Sequence, residues 1–110
     1  MIGQISVSRQ INQLFWRRTY FDKKALKEWH GLDNSIREQL KKKLEKRLEH
    51  PHIKKDKLSG SNDIYKIKLR NSGYRLAYLV DDKLNRIIVI IIGKRDKDLV
   101  YKELRRRWGL

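Results

Sequence analysis

Two hydrophobic periods divide this chain. Between Asp22 and Leu48 apolar residues recur at helical spacing, from Asp63 to Val80 they alternate with polar ones, and Ile87 to Ile92 is apolar throughout. Helical neighbours on one face lie three or four positions apart, whereas successive strand side chains point to opposite faces. Ala25, Leu26, Trp29 and Leu32 therefore define a first helix, with Asp22 as its N-cap. After a break at Gly31 to Asn34, Ser35 and Glu38 have the spacing of a capping box. Ile36, Leu40, Leu44 and Leu48 then form the stripe of a second helix, which Pro51 ends. The short connection makes the two helices antiparallel neighbours.

Leu14 to Phe21, aromatic and β-branched, reads as a strand ahead of this pair. From Asp63 to about Arg70, Tyr65, Ile67 and Leu69 alternate with Lys66 and Lys68; Asn71, Ser72 and Gly73 supply a turn. On the return strand Arg75 alternates with Leu76, Tyr78 and Val80. A two-residue loop at Ser72 and Gly73 sets Arg70 opposite Arg75, Lys68 opposite Ala77 and Lys66 opposite Leu79, and gathers the apolar set on one face. Arg86 to Gly93 is apolar on both faces and belongs mid-sheet. A last helix begins near Asp96, with Leu99, Val100, Leu104 and Trp108 on its apolar side. The predicted order is β-α-α-β-β-β-α. It describes an α+β domain over 14–110: a four-stranded, mostly antiparallel sheet with an N-terminal helical hairpin and a C-terminal helix, all packed on one face. Residues 1–13 are weakly patterned and read as a poorly ordered extension, with an added strand as the other reading.

Charge changes the picture more than composition does. Lys and Arg total 28 against 13 acidic residues, a net charge of +15, which suits nucleic acid, an anionic membrane or an acidic protein. There is no cysteine, so disulfides and thiolate chemistry are excluded. The longest apolar run, Ile87 to Ile92, is far below the ~18 residues of a membrane span. No signal-peptide pattern opens the chain, and a cytoplasmic protein with no membrane partner is the expectation.

Candidate chemistry concentrates in Lys66, Lys68 and Arg75 on the hairpin, Arg95 at the exit of the central strand and Tyr101 on the last helix. Four like charges on one sheet face, Arg70 included, build no core and suit a polyanion. Phosphodiester cleavage without a metal needs a base for the nucleophile's proton, cations for the phosphorane and help for the leaving oxygen. A tyrosine among cations can supply the base. The plainer readings stay open: a basic sheet face that only binds, and Tyr101 as core filling beside Val100 and Leu104. Further polyanion contacts are placed at Lys57, Arg70 and Lys94, and at Lys41 and Lys42, whose run to Arg47 is otherwise a solvated helix face. Arg105 to Arg107 read likewise as a solvated helix face and suit the negative end of the last helix. His30, His50 and His52 read as surface residues, no metal spacing emerges, and no cofactor is called for.

The segments FDKKALKEW from Phe21, IREQLKKKL from Ile36, YKIKLRNSGYRLAYLV from Tyr65 and GKRDKDLVY from Gly93 resemble the RelE toxins of bacterial toxin–antitoxin systems, from about Arg17 to Trp108. The resemblance implies a ribosome-dependent endoribonuclease that cuts mRNA in the A site, the ribose 2′-hydroxyl attacking the adjacent phosphate. It carries the sheet lysines to Lys66 and Lys68, the hairpin arginine to Arg75, the strand-end arginine to Arg95 as acid and the C-terminal tyrosine to Tyr101 as base. With a guanidinium pKa above ~12, charge stabilisation is the safer role for Arg95. Ser59 stands where the family can carry an arginine. The implied partners are the 70S ribosome with mRNA and an acidic, RelB-like antitoxin, with operator DNA reached only through the antitoxin. Two other readings are a ParE-type gyrase poison, expected to lack this residue set, and a silent RNA-binding module.

Overall fold

The computed structural model describes residues 2–4, 17–96 and 99–109. The expected helices and strands are present: β2 (Thr19–Asp22), α1 (Lys23–His30), α2 (Asn34–Glu49), β3 (Ile64–Leu69), β4 (Tyr74–Asp81), β5 (Arg86–Lys94) and α3 (Leu99–Trp108). A fifth strand, β1 (Ile2–Gln4), lies antiparallel beside β2; the rest of the expected extension is outside the described residues. The sheet order is β1-β2-β5-β4-β3, with β5 central and only β2–β5 parallel.

Several local expectations shift. Of the strand expected from Leu14, Arg17 and Arg18 are helical and pairing starts at Thr19; residues 14–16 are outside the described set. The N-cap of α2 is Asp33 rather than Ser35: its carboxylate accepts from the Ser35 N–H at 3.2 Å, and a charged acceptor suits the positive helix end. Asp22 caps α1 as expected, accepting from Lys24 N–H at 3.1 Å. The β3–β4 loop has four residues, Arg70 to Gly73, and Leu69 pairs with Tyr74. Lys68 thus faces Arg75 and Lys66 faces Ala77. The slip is by two positions, so every side chain keeps its predicted face. Gly73, at φ 78°, takes the left-handed conformation that closes this loop.

The main correction concerns layers. α1 and α2 pack on one sheet face, where Phe21, Trp29, Leu40, Leu44 and Leu48 meet Ile67, Leu76, Tyr78 and Val89. α3 packs on the other, where Val100 and Leu104 meet Ile64, Ala77, Ile88, Ile90 and Ile91. This second core is why β5 is apolar on both sides. Leu99, expected on the apolar side of α3, is 53% exposed.

β5 also carries a bulge. Ala77 pairs with Ile91 but Tyr78 pairs with Val89, so Ile90 is the extra residue. A single inserted residue reverses the facing of everything beyond it. Ile90 and Ile91 both face α3, Ile92 returns to the α1–α2 core, and Gly93 faces Val100.

Candidate active site

The lysine-bearing face of β3 is the face that α3 covers, and small residues set how closely it does so. Three strands place Lys68, Arg75 and Gly93 in one row and Lys66, Ala77 and Ile91 in the next. Gly93 has no side chain to hold α3 away; a β-carbon there would already touch Val100 Cγ2 at 3.4 Å. With Val100 seated over Gly93, the next helical residue, Tyr101, turns toward β3. The Lys66 ammonium stands 5.8 Å from the centre of its ring.

The β5 bulge decides what leaves the strand end toward this face. Lys94 stands over the Tyr74 ring at 5.6 Å, on the α1–α2 side, and Arg95 turns into the cleft. Without Ile90 as an extra residue the two would exchange faces. The Arg95 N–H donates to the Gly73 carbonyl at 2.7 Å, which fastens the strand exit to the hairpin loop beside Arg75. Arg75 in turn donates from Nη1 to the Tyr74 carbonyl at 3.0 Å.

The result is an open cleft of about 660 Å³ lined by Leu58, Ser59, Lys66, Lys68, Arg70, Arg75, Arg95, Tyr101, Lys102 and Arg105. All five candidate catalytic side chains meet there, together with Arg70. No lining residue is acidic. The charge is felt within the cleft: the ammonium of Lys66 first, then burial, Arg70 and Arg75, lower the Lys68 pKa, with Asp56 opposing.

Other candidate positions lie elsewhere. Lys41 and Lys42 are on α2, and Lys57 is exposed on the loop before β3; none lines the cleft. Lys102 and Arg105 escaped the sequence reading as cleft residues, although Arg105, four positions after Tyr101, shares its side of the helix and Lys102 neighbours Arg105 at three positions. Ser59 does stand at the cleft wall.

Two charged groups differ from the sequence reading. Arg47, expected on a solvated face, is 16% exposed and donates to Asp56 at 2.7 Å, the Tyr78 hydroxyl at 3.0 Å and the Lys66 carbonyl at 3.3 Å. It supports β3 from behind the cleft. His52 is at the surface as read, between the Tyr65 hydroxyl at 2.9 Å and Asp82 at 3.0 Å. Arg107 leaves the end of α3 to meet Glu28 of α1 at 2.6 Å, instead of facing solvent. None of these contacts has a local signature, because each joins residues far apart in sequence.

Among known proteins, the model of the ParE toxin of type II toxin–antitoxin systems, parDE, matches residues 20–99. The mRNA interferase toxin RelE of Escherichia coli strain K12 is 54% identical over 87 residues, which are 79% of this chain and 92% of that protein. The crystal structure of the isolated E. coli RelE toxin superposes with a TM-score of 0.70 at 50% identity, covering 83% of this chain and 97% of that one. The toxin-fold chain in the intact E. coli RelBE toxin–antitoxin complex matches with a TM-score of 0.69 at 53% identity, over 72% and 96% of the two chains.

Proposed function

This chain belongs to the RelE branch of the ParE-type toxin family, and from that membership we propose that it is the toxin of a toxin–antitoxin pair, an mRNA interferase that arrests translation by cutting mRNA. Its relatives' interferase names favour this reading over gyrase inhibition. The observation that carries it is the convergence of Lys66, Lys68, Arg75, Arg95 and Tyr101 on one cleft.

The cleft suggests a division of labour. The Tyr101 phenolate takes the proton of the ribose 2′-hydroxyl as its oxygen bonds to phosphorus, and the P–O5′ bond breaks. The departing 5′-oxygen takes a proton from water, leaving a cyclic phosphate and a free 5′-hydroxyl. The Lys66 ammonium stands beside the Tyr101 ring, on the side of the cleft where the proton is taken. Lys68 and Arg75, paired across the hairpin, face the two phosphate oxygens on which charge grows. Arg95, at the open strand end, offsets charge on the departing 5′-oxygen. Arg70, Lys102 and Arg105 extend the positive wall to flanking phosphates.

This arrangement holds cations in abundance but no strong base. Dependence on the ribosome follows: a scaffold that distorts and positions A-site mRNA supplies the orientation the cleft itself does not impose. The partners are thus translating 70S ribosomes in the cytoplasm and an acidic, RelB-like antitoxin that covers the basic face. Operator DNA is reached only through that antitoxin. Arg95→Ala and Tyr101→Ala should each lower A-site cleavage of ribosome-bound mRNA by ~10²–10³ while ribosome association persists. A double variant that cleaves at the native rate refutes the proposal.

A further inference from the structure

β5 is longer than its parallel neighbour. Pairing with β2 ends at Phe21 and Val89, because the chain turns into α1 after Asp22. Beyond that point the backbone edge of β5 has no strand beside it, yet it is not left open. The Ile92 N–H donates to Glu28 Oε1 at 3.0 Å, and the Ile90 carbonyl accepts from Arg107 Nη1 at 3.4 Å. The two side chains close on each other, Arg107 Nη2 to Glu28 Oε2 at 2.6 Å. Arg107 Nε is also bonded to Glu103 one turn back on α3, at 3.0 Å. A carboxylate from one layer and a guanidinium from the opposite layer thus take the place of the missing strand.

The two backbone groups they hold bracket the bulge. Ile90 is its extra residue and Ile92 the first to return to the α1–α2 face. The same clasp anchors α3, a ten-residue helix that buries only Val100 and Leu104 among its described side chains. It is itself well shielded, with the Arg107 side chain 11% and the Glu28 side chain 28% exposed.

We infer that Glu28 and Arg107 are positioning residues for the cleft: their clasp fixes the bulged register that aims Arg95 inward and the seat of α3 that aims Tyr101 inward. This inference rests on the reading of the cleft given above. Neither residue lines the cleft, so their loss acts on geometry rather than on its charge.

Single-turnover cleavage of ribosome-bound mRNA, at saturating and at limiting protein, tests the idea together with amide exchange at Ile92. Arg107→Ala and Glu28→Ala should lower the saturated rate ten- to a hundredfold and leave the half-saturating concentration within twofold. The Ile92 amide should exchange faster while core amides such as Val89 stay protected. Glu28→Gln keeps an acceptor for Ile92 N–H and should retain most of the rate, which keeps the test sound should an alanine variant fold poorly. In a Tyr101→Phe background, Arg107→Ala should cost less than in the native chain, because one of the two groups it positions is already gone. Unchanged Ile92 exchange in Arg107→Ala, or an equal fold-loss in both backgrounds, overturns the clasp alone. Wild-type cleavage by Tyr101→Phe overturns the reading of the cleft and the positioning role with it.

Discussion

Replacing Arg47 by methionine removes a cation that never enters the cleft, yet it should be among the most damaging single changes in the chain. The guanidinium neutralises Asp56 at 2.7 Å and donates to the Tyr78 hydroxyl and the Lys66 carbonyl, and the Tyr78 hydroxyl donates onward to the Pro51 carbonyl at 2.7 Å. Breaking a buried pair by removing one partner costs about 3–5 kcal/mol, chiefly because the remaining charge stays desolvated. Here the side chains keep 16% and 20% of their exposure, so water partly reaches Asp56 and the lower end applies, about 3 kcal/mol. That is a large share of the ~5–15 kcal/mol that holds a domain together. At ~4 °C per kcal/mol for a domain near this size, the melting midpoint should fall by about 12 °C. Urea unfolding followed by far-ultraviolet circular dichroism measures it. Adding Asp56→Asn to the Arg47→Met protein should return part of the loss, since the stranded charge is gone. A loss under about 1 kcal/mol, or a double variant as unstable as the sum of the singles, would show that the pair is a solvated surface contact and refute the reasoning.

Two further outcomes follow from the charges around the cleft. Lys66→Ala and Lys68→Ala should each lower mRNA cleavage by ~10²–10³ without loss of stability at pH 7, because each removal relieves the repulsion that depresses the Lys68 pKa; urea midpoints clearly below wild type would show that the lysines pack rather than repel. Arg106 and then Arg107 hold the Glu103 carboxyl at about 2, against an ordinary 4.5. Its contribution is therefore complete above pH 4.5 and is lost as the pH falls toward 2. The stability difference between wild type and Glu103→Gln, followed by urea titration, should be flat from neutrality to about pH 5 and shrink below it; a difference that persists at pH 2 argues against the pairing.

The local alphabet of this protein is legible in its sequence. Helical spacing from Ala25 to Leu48, alternation from Tyr65 to Val80 and the unbroken apolar run from Ile87 gave each element, and the expected sheet centre is where β5 lies. These signals depend on neighbours within a few residues, which is the range over which backbone period and burial are coupled. The five candidate cleft residues were legible too, as cations and one phenol near the ends of those elements. A slip in the hairpin register did no harm, because a shift of two leaves every side chain on its own face.

What the sequence reading got wrong was the layer of α3, which it put on the same face as α1 and α2. Apolar positions on α3 call for a sheet face but do not say which one. The protein places α3 opposite α1 and α2, and only that choice brings Tyr101 to the lysines instead of burying it behind them. Lys94 and Arg95 are equivalent basic neighbours until one extra residue in β5, set by its pairing to β4, turns Arg95 into the cleft and Lys94 away. Arg47 and Arg107 look like solvated charges until partners nine and seventy-nine positions away complete them. Periodicity is a property of short stretches and survives in the sequence. Facing, register and pairing are settled by packing among distant segments, where one inserted residue or one choice of layer reverses which side chains meet.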